Sequence, residues 1–206
     1  MTNIKGMRRM ELTVEQTINW ITRWVDYVKQ NTDALNELDT AIGDGDHGTN
    51  LNRGTQAVKE AFANEKPTTI PMVYRTTAMA LVSTIGGASG ALIGTAFLTM
   101  ARLTKEGETN LEVLLVEATE SMKKRGRSDV GMKTLIDLWD PASKDFAKHE
   151  LTYAKIDEAV EKTKEMKAAK GRSSYLRERS IGHIDPVAKS SSYLFIALLE
   201  ELGQEK

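Results

Sequence analysis

Three aspartates lie within eight residues of one another in the sequence LDTAIGDGDHGTN, which runs from Leu38 to Asn50. They are Asp39, Asp44 and Asp46, and no lysine or arginine between residues 33 and 46 neutralises them. Like charges gathered in one loop repel each other unless a cation joins them, and Mg²⁺ and Ca²⁺ prefer carboxylate oxygens as ligands. The pattern therefore predicts a divalent metal site, while a solvated acidic turn with an aspartate as helix cap is the alternative.

Known nucleotide and calcium motifs match the sequence only in part. The glycines of the acidic stretch spell GxGxxG, but no apolar strand precedes them and two aspartates inside the loop would face a pyrophosphate. The letters DGDHG begin like a calcium loop, but the twelfth position holds Thr55, where a bidentate glutamate is needed. The segment from Gly126 to Thr134 is one residue out of register for a P-loop. None of these motifs assigns a ligand.

Several other segments carry groups that suit phosphate. The sequence GGASG precedes a predicted helix, so the backbone N–H groups near Ala88 and Ser89 could bind an anion, with a plain turn between helices as an equal alternative. Basic residues cluster around Gly126 and again ahead of Asp185, although such clusters are more often solvated surfaces. Among the three histidines, His47 lies inside the acidic stretch and is the one predicted to contact a ligand.

Amphipathic helices must position these residues, because apolar residues recur at helical spacing along nearly the whole chain. Thr13 and Gln16 have the spacing of a capping box, and a helix of four to five turns is predicted to follow. Further helices are predicted over residues 49–64, 72–86, 89–105, 110–126, 130–147, 152–170 and 186–203. No segment shows the sustained alternation of a strand. The predicted fold is therefore all-α, an up-and-down bundle or a closed helical barrel.

Composition and charge limit the classes of protein. With 206 residues and no recognisable linker, the chain is predicted to form a single domain over residues 12–206, after a flexible N-terminal tail at residues 1–11. The 28 basic and 29 acidic residues nearly balance, which argues against a nucleic-acid binder or a polybasic membrane anchor. The absence of cysteine excludes disulfides, cysteine-ligated metals and thiol catalysis. No apolar signal sequence is recognisable, so a cytoplasmic location is predicted.

One segment could instead cross a membrane. Residues 76–101 carry no charge, and Gly86, Gly90 and Gly94 repeat the spacing found in membrane helix dimers. The same segment holds four glycines and seven serines or threonines, and its centre is a poor continuation of any helix. Two buried helices joined by a glycine turn are favoured.

Taken together, the motifs resemble a known family. The stretches LDxxIGDGDHGxNxxRG, GGASGxLIGT and KGRSSYLxERSIGHxDP are similar to those of the ADP-binding L subunits of phosphotransferase-system-dependent dihydroxyacetone kinases, and equally to the nucleotide domain of the ATP-dependent enzymes. The match runs from about Leu12 to Leu202. The resemblance implies a closed barrel of eight antiparallel amphipathic helices with the nucleotide at one rim.

The resemblance also implies roles for particular residues. Asp39, Asp44 and Asp46 would be the catalytic metal ligands, holding two Mg²⁺ ions that bridge the phosphates of ADP or ATP. The residues implied to contact the nucleotide are His47, Gly48, Thr49, Asn50, Ala88, Ser89, Gly126, Leu135, Arg172, Asp185, Pro186 and Val187. Many relatives have glycine at the position of Val187.

An activity and partners follow from the same resemblance. Bound ADP would be phosphorylated by a phosphohistidine on an M subunit, and the γ-phosphoryl would pass to dihydroxyacetone, or glycerone, on a K subunit. Some family members also contact a transcription regulator, whereas neither nucleic acid nor membrane is an expected partner. Two alternatives stay open: the nucleotide domain of a kinase that uses free ATP, and a regulatory interaction protein that reports phosphorylation state.

Overall fold

The computed structural model describes residues 10–204, which form nine α-helices, two 3₁₀ segments and no β-strand. The helices are α1 (Val14–Gln30), α2 (Thr32–Ile42), α3 (His47–Glu65), α4 (Ile70–Thr84), α5 (Gly87–Lys105), α6 (Leu111–Gly126), α7 (Ile136–Ala147), α8 (Tyr153–Lys162) and α9 (Pro186–Glu201). The 3₁₀ segments are Thr163–Glu165 and Arg172–Ser180. The all-α prediction is confirmed, although the predicted number of helices is one too few for the described residues.

Side chains that cap helices explain where several helices begin. The Thr13 hydroxyl accepts a hydrogen bond from Gln16 N, and the Gln16 side chain accepts one from Thr13 N, so the predicted capping box is present. At the other end of the chain, the Asp185 carboxylate accepts from Ala188 N at 2.7 Å, and Pro186 occupies the first turn of α9. Both predicted helix starts are confirmed.

The helix missing from the prediction is α2. It has only eleven residues, and three of them are buried: Leu35, Asp39 and Ile42. A polar residue at the centre of the buried face weakens the apolar periodicity, and the short break at Asn31 separates α2 from α1 by a single residue. Asp39 therefore lies in the last turn of a helix and not in a flexible loop.

Two predicted boundaries are also wrong. The helix predicted to start at residue 130 begins at Ile136, because Gly131 and Lys133 have positive φ values of 89° and 56° and form turns. The helix predicted to run to residue 170 ends at Lys162, followed by one 3₁₀ turn. Beyond it the backbone bonds to distant segments, as when Ala169 N donates to the Met132 carbonyl at 3.0 Å. Tertiary contacts replace the helical ones here.

Consecutive helices pack on each other, and the last helix returns to the first. α4 lies between α3 and α5, α6 packs on α5 and α7, and α9 contacts α1, α2, α7 and α8. Large aromatic residues fill the core, including Trp20 with its ring edge on Tyr74 and Trp139 with its ring edge on Phe195. The Trp20 indole donates to the carbonyl of Leu194 at 2.8 Å, which joins α1 to α9. Closure of the helices into a barrel stays a prediction.

The uncharged stretch of residues 76–101 forms parts of two helices. α4 ends at Thr84 and α5 begins at Gly87, so the prediction of two helices joined by a glycine turn is confirmed. Gly90 allows a close approach at this turn, since an added Cβ would lie 2.5 Å from the Ile85 carbonyl oxygen. None of the helices between residues 10 and 204 is both long enough and apolar enough to cross a bilayer.

The predicted tail falls mostly outside the described residues, as do residues 205 and 206. Of the two tail residues that are described, Met10 accepts a backbone hydrogen bond from Leu111 at 2.8 Å. Glu11 accepts one from the Thr109 hydroxyl at 2.6 Å. These two residues therefore contact the start of α6 and the segment just before it, and the single-domain span stays a prediction.

Candidate functional site

A cavity of about 630 Å³ opens where the N-termini of α3, α5 and α9 face the C-termini of α2 and α6. Its lining residues come from the segments 39–50, 86–92, 125–128, 133–135, 170–173 and 185–187. Backbone N–H groups at a helix N-terminus have no partner within the helix and carry partial positive charge. At the starts of α3 and α9 several of these groups already donate to the side chains of Asp39, Asn36 and Asp185. No side chain caps α5, so its start favours an anionic ligand.

The three predicted aspartates meet on one side of this cavity. One carboxylate oxygen from each of Asp39, Asp44 and Asp46 lies within 4.8 Å of the others. Asp39 is buried, and its Oδ2 accepts hydrogen bonds from the backbone N–H groups of Asp46 at 3.1 Å and His47 at 3.2 Å. The buried carboxylate thus fixes the connection that carries the two exposed ones.

The aspartate cluster fits a divalent cation. Three carboxylates supply hard oxygen ligands at a spacing that one or more Mg²⁺ or Ca²⁺ ions can share. Gly43 leaves the room this requires, because an added Cβ would lie 2.1 Å from Asp39 Oδ1. The lack of space therefore calls for glycine here.

Basic side chains complete the polar lining. The Arg172 guanidinium contacts the Asp44 carboxylate and so joins the segment before α9 to the aspartate cluster. Arg125 and Lys170 also line the cavity, and Lys133 lies almost fully buried in its wall. Arginine and lysine are the side chains that bind phosphate oxygens most often.

The predicted phosphate loop is held in place from α3. Ala88 and Ser89 lie in the first turn of α5 and line the cavity, as expected. Arg53 donates to the Thr84 carbonyl, at the end of α4, and to the Asn50 side chain, which also lines the cavity. The loop between α4 and α5 is therefore tied to the helix that follows the aspartates.

The four consecutive residues His47 to Asn50 do not all reach the cavity. His47 and Asn50 line it, but Gly48 and Thr49 do not. Thr49 N donates to the Asn36 side chain at 3.0 Å, and Gly48 packs against the backbone of α2. Successive helical residues point about 100° apart, so the four side chains cannot all face the cavity, and contact of Gly48 and Thr49 with the ligand stays a prediction.

His47 is held by a buried hydrogen bond. Its Nε2 lies 2.8 Å from the Ser190 hydroxyl of α9. Burial lowers the pKa of His47, while the charges of Asp39 and Asp46 act in the opposite direction. The imidazole therefore joins α3 to α9 at the edge of the aspartate cluster.

The remaining predicted residues come from other segments of the lining. Gly126, Leu135, Asp185, Pro186 and Val187 all line the cavity. The side chains of Leu135 and Val187 make the lining partly apolar, which suits a planar ring. The sequence prediction thus placed residues more than a hundred positions apart in one cavity.

Some lining residues were not singled out from the sequence. Ile42 and Leu92 add apolar surface, and Arg125, Lys133 and Lys170 add positive charge. Arg125 and Lys170 belong to the two basic clusters that suit phosphate, although such clusters are more often solvated surfaces. Lys133 lies in the segment from Gly126 to Thr134, which nearly matches a P-loop. This partial match is the feature of the sequence that points to a phosphate-binding role for the segment.

We expect the free energy of unfolding to fall as the pH rises, because the folded protein buries the Asp185 carboxyl. Burial raises the pKa of Asp185 to about 7, whereas an aspartate in an unfolded chain titrates near about 3.9. Between these values the unfolded chain has lost the proton and the folded chain keeps it, so the free energy of unfolding falls as pH increases. Asparagine keeps the capping acceptor but carries no charge.

Urea unfolding of the wild type and of Asp185→Asn at pH 5 and pH 8 tests this expectation. Raising the pH from 5 to 8 should lower the free energy of unfolding of the wild type more than that of the variant. Other titrating groups are common to both proteins and cancel in the comparison. A stability difference that is the same at both pH values would contradict the expectation.

Comparison with known proteins gives one family. The model of the DAK2 domain matches residues 41–200. A protein of Listeria innocua named "PEP-dependent dihydroxyacetone kinase 1, ADP-binding subunit DhaL" is 45% identical, over 88% of this chain and 96% of its own. The corresponding subunit of Lactococcus lactis, named as PTS-dependent, is 40% identical over 92% and 98% of the two chains. The Escherichia coli subunit is 34% identical over 90% and 95%.

Solved structures agree on the fold. The dihydroxyacetone kinase of C. freundii superposes with a TM-score of 0.73 in its native form and 0.74 in a complex with AMP-PNP and Mg²⁺. Sequence identity is 21%, and the match covers 97% of this chain but only 37% and 36% of the kinase chains. With the family model and the near full-length relatives, these findings show that the chain belongs to the DAK2 domain family, among the DhaL subunits of dihydroxyacetone kinases.

Proposed function

We propose that this chain is the ADP-binding subunit of a phosphotransferase-system-dependent dihydroxyacetone kinase, a phosphoenolpyruvate–glycerone phosphotransferase. Its bound ADP would accept a phosphoryl group from a phosphohistidine on an M subunit, and dihydroxyacetone on a K subunit would receive it. The observation that carries the proposal is one cavity in which three clustered carboxylates face helix N-termini and basic side chains. Near full-length relatives named as ADP-binding subunits support it.

The aspartate cluster is the proposed metal site. Asp39, Asp44 and Asp46 would hold Mg²⁺, and the family resemblance suggests two ions. When bound, the metal would neutralise charge on the phosphate oxygens and align attacking and leaving oxygens. The chain's own contribution is rigidity, because two backbone N–H groups hold the Asp39 carboxylate before any ligand binds.

Backbone and basic groups are the proposed phosphate contacts. The N–H groups of Ala88 and Ser89 lie at the positive end of α5, where no side chain caps the helix. Arg172 and Lys170 also line the cavity and would add positive charge near the transferring group. No nucleophilic side chain of this chain is needed, since the phosphoryl group would move between bound nucleotide and partner.

The apolar part of the cavity lining is the proposed place for the base and ribose. Leu135 and Leu92 offer apolar side chains there, and Gly126, next to Leu92, has no side chain that would take up space. The Asp185–Pro186–Val187 turn would close the pocket at the N-terminus of α9. The side chain of Val187 would restrict how closely a ligand can approach that turn.

Nucleotide retention separates this function from a kinase that uses free ATP. The purified chain, after extensive dialysis in Mg²⁺, should retain one ADP and two magnesium ions in native mass spectrometry. Addition of a phosphohistidine-carrying M subunit and phosphoenolpyruvate-fed donors should convert the retained ADP to ATP. Rapid exchange of labelled ADP, together with turnover of free ATP, would favour the alternative.

A regulatory interaction protein is the second candidate. The family resemblance implies such a role with a transcription regulator, and a cytoplasmic location suits both functions. Phosphoryl transfer to dihydroxyacetone in the presence of K and M subunits supports the enzymatic role. If Asp44→Ala left this transfer intact but abolished partner binding, the regulatory function would replace it.

A further inference from the structure

A buried lysine in the cavity wall has no assigned role. Lys133 is only 1% exposed, and its backbone adopts a left-handed conformation with a φ of 56°. Burying an ammonium group is costly unless its hydrogens are bonded. Here Nζ donates to the carbonyls of Thr163, at 2.7 Å, and His183. Both acceptors are backbone groups of other segments, so the lysine holds the chain together at this point.

The two carbonyls belong to the segments that lead into α9. Thr163 ends α8, and His183 lies just before the Asp185 cap. The Thr163 hydroxyl in turn accepts from Asp185 N at 3.0 Å, and the Asp185 carboxylate accepts from Ala188 N at 2.7 Å. A continuous series of hydrogen bonds therefore runs from Lys133 to the cavity wall formed by residues 185–187.

The turn that carries Lys133 is itself fixed. The buried Asp137 carboxylate accepts from Gly131 N and from Thr134 N, the second at 2.7 Å. Ala169 N donates to the carbonyl of Met132, next to Lys133. This backbone bond reaches the chain just before the lining residues 170–173. The turn that carries Lys133 is therefore bonded to the segments that directly precede the lining residues 170–173 and 185–187.

We propose that Lys133 is a positioning residue that sets the distance between the wall at residues 133–135 and the wall at residues 185–187. The inference rests on the proposed function, because the ligand between these walls is the nucleotide. Without the ammonium, the His183 carbonyl loses its Lys133 donor, the Thr163 carbonyl keeps only the longer bond from Met166 N at 3.2 Å, and the loop before α9 relaxes. The cavity then has to be reordered when ADP binds, which weakens the affinity.

The first test compares Lys133→Met with a matched variant, Lys123→Met. Lys123 is also a largely buried lysine, with ion pairs to Glu120, Asp129 and Asp140, but it does not line the cavity. Both variants should lower the melting temperature. In titration calorimetry with ADP and Mg²⁺, well below both melting temperatures, Lys133→Met should raise Kd about tenfold and Lys123→Met less than about twofold.

The second test asks whether Lys133 acts through Thr163. Thr163→Val keeps the carbonyl that Lys133 binds but removes the hydroxyl that accepts from Asp185 N. If both residues position the same wall, the double variant should weaken ADP binding by less than the product of the two single effects. A role in stability alone would lower the melting temperatures without this coupling in Kd.

Each outcome has a separate meaning. If the wild-type chain binds no ADP, the proposed function itself is wrong. If the wild type binds ADP and Lys133→Met binds it equally well, only the positioning role is overturned. Should Lys133→Met fail to fold, Thr163→Val alone decides, and an unchanged Kd in that variant overturns the inference.

Discussion

Replacing Asp39 by asparagine should abolish Mg²⁺-dependent retention of ADP. The side chain keeps its size, but it loses the negative charge. This charge attracts the metal and strengthens the hydrogen bonds that the carboxylate accepts from two backbone N–H groups. Hydrogen bonds to a charged group contribute about 1.5–3 kcal/mol, and loss of a metal ligand adds to this, so Kd should rise at least about 100-fold. Titration calorimetry with ADP in the presence of Mg²⁺ measures the change.

The matched control is Asp33→Asn. Asp33 lies in the first turn of the same helix, is exposed and does not line the cavity. Its replacement should leave the ADP affinity within about twofold, since a surface charge at a helix end contributes less than about 1 kcal/mol. EDTA should remove ADP from the wild type and from the control alike. Equal ADP affinity in Asp39→Asn and Asp33→Asn would refute the metal site.

Replacing Gly48 by alanine should lower the free energy of unfolding more than adding a methyl group at any other position in this region. An added Cβ would lie 2.1 Å from the Thr32 carbonyl oxygen and 3.0 Å from the Leu35 Cβ. The nearest atom belongs to the backbone, so α2 and α3 must separate to relieve the overlap. Even after the gain in helix propensity, we expect a loss of about 3 kcal/mol and a fall in Tm of roughly 6–12 °C.

Gly126→Ala is the control for this prediction. Gly126 is also helical, but an added Cβ there meets only side-chain atoms, with Ser128 Oγ at 2.9 Å and Leu92 Cδ2 at 3.3 Å. These side chains can rotate, so the stability should change by less than about 1 kcal/mol. Differential scanning calorimetry without ligand measures both variants. A Gly48→Ala protein as stable as Gly126→Ala would show that α2 and α3 are not in close contact.

The aspartate cluster could be predicted because its members are close in sequence. Three carboxylates within eight residues must lie near one another in any fold, so the prediction needed no tertiary information. What the sequence hid was that Asp39 belongs to a helix, since an acid on its buried face breaks the apolar pattern. The all-α class could be predicted from the sequence, because most other helices have a continuous apolar face.

Contacts made over long distances in the chain were harder to predict. Nothing near Lys133 in the sequence indicates that its ammonium reaches backbone groups 30 and 50 residues away. Gly48 and Thr49 were assigned to the ligand because they belong to a contiguous motif. Helical spacing alone favours His47 and Asn50, which are three residues apart on one face.

The convergence of helix N-termini on the cavity also bears on how the site tolerates sequence change. The N–H groups at the start of α5 are present whatever side chain occupies positions 88 and 89, proline excepted. They carry no titratable proton, so their attraction for an anion is the same across the physiological pH range. Substitutions at positions 88 and 89 therefore keep the backbone N–H donors. The three aspartates differ in this respect, because their carboxylate oxygens are lost when the residue is replaced.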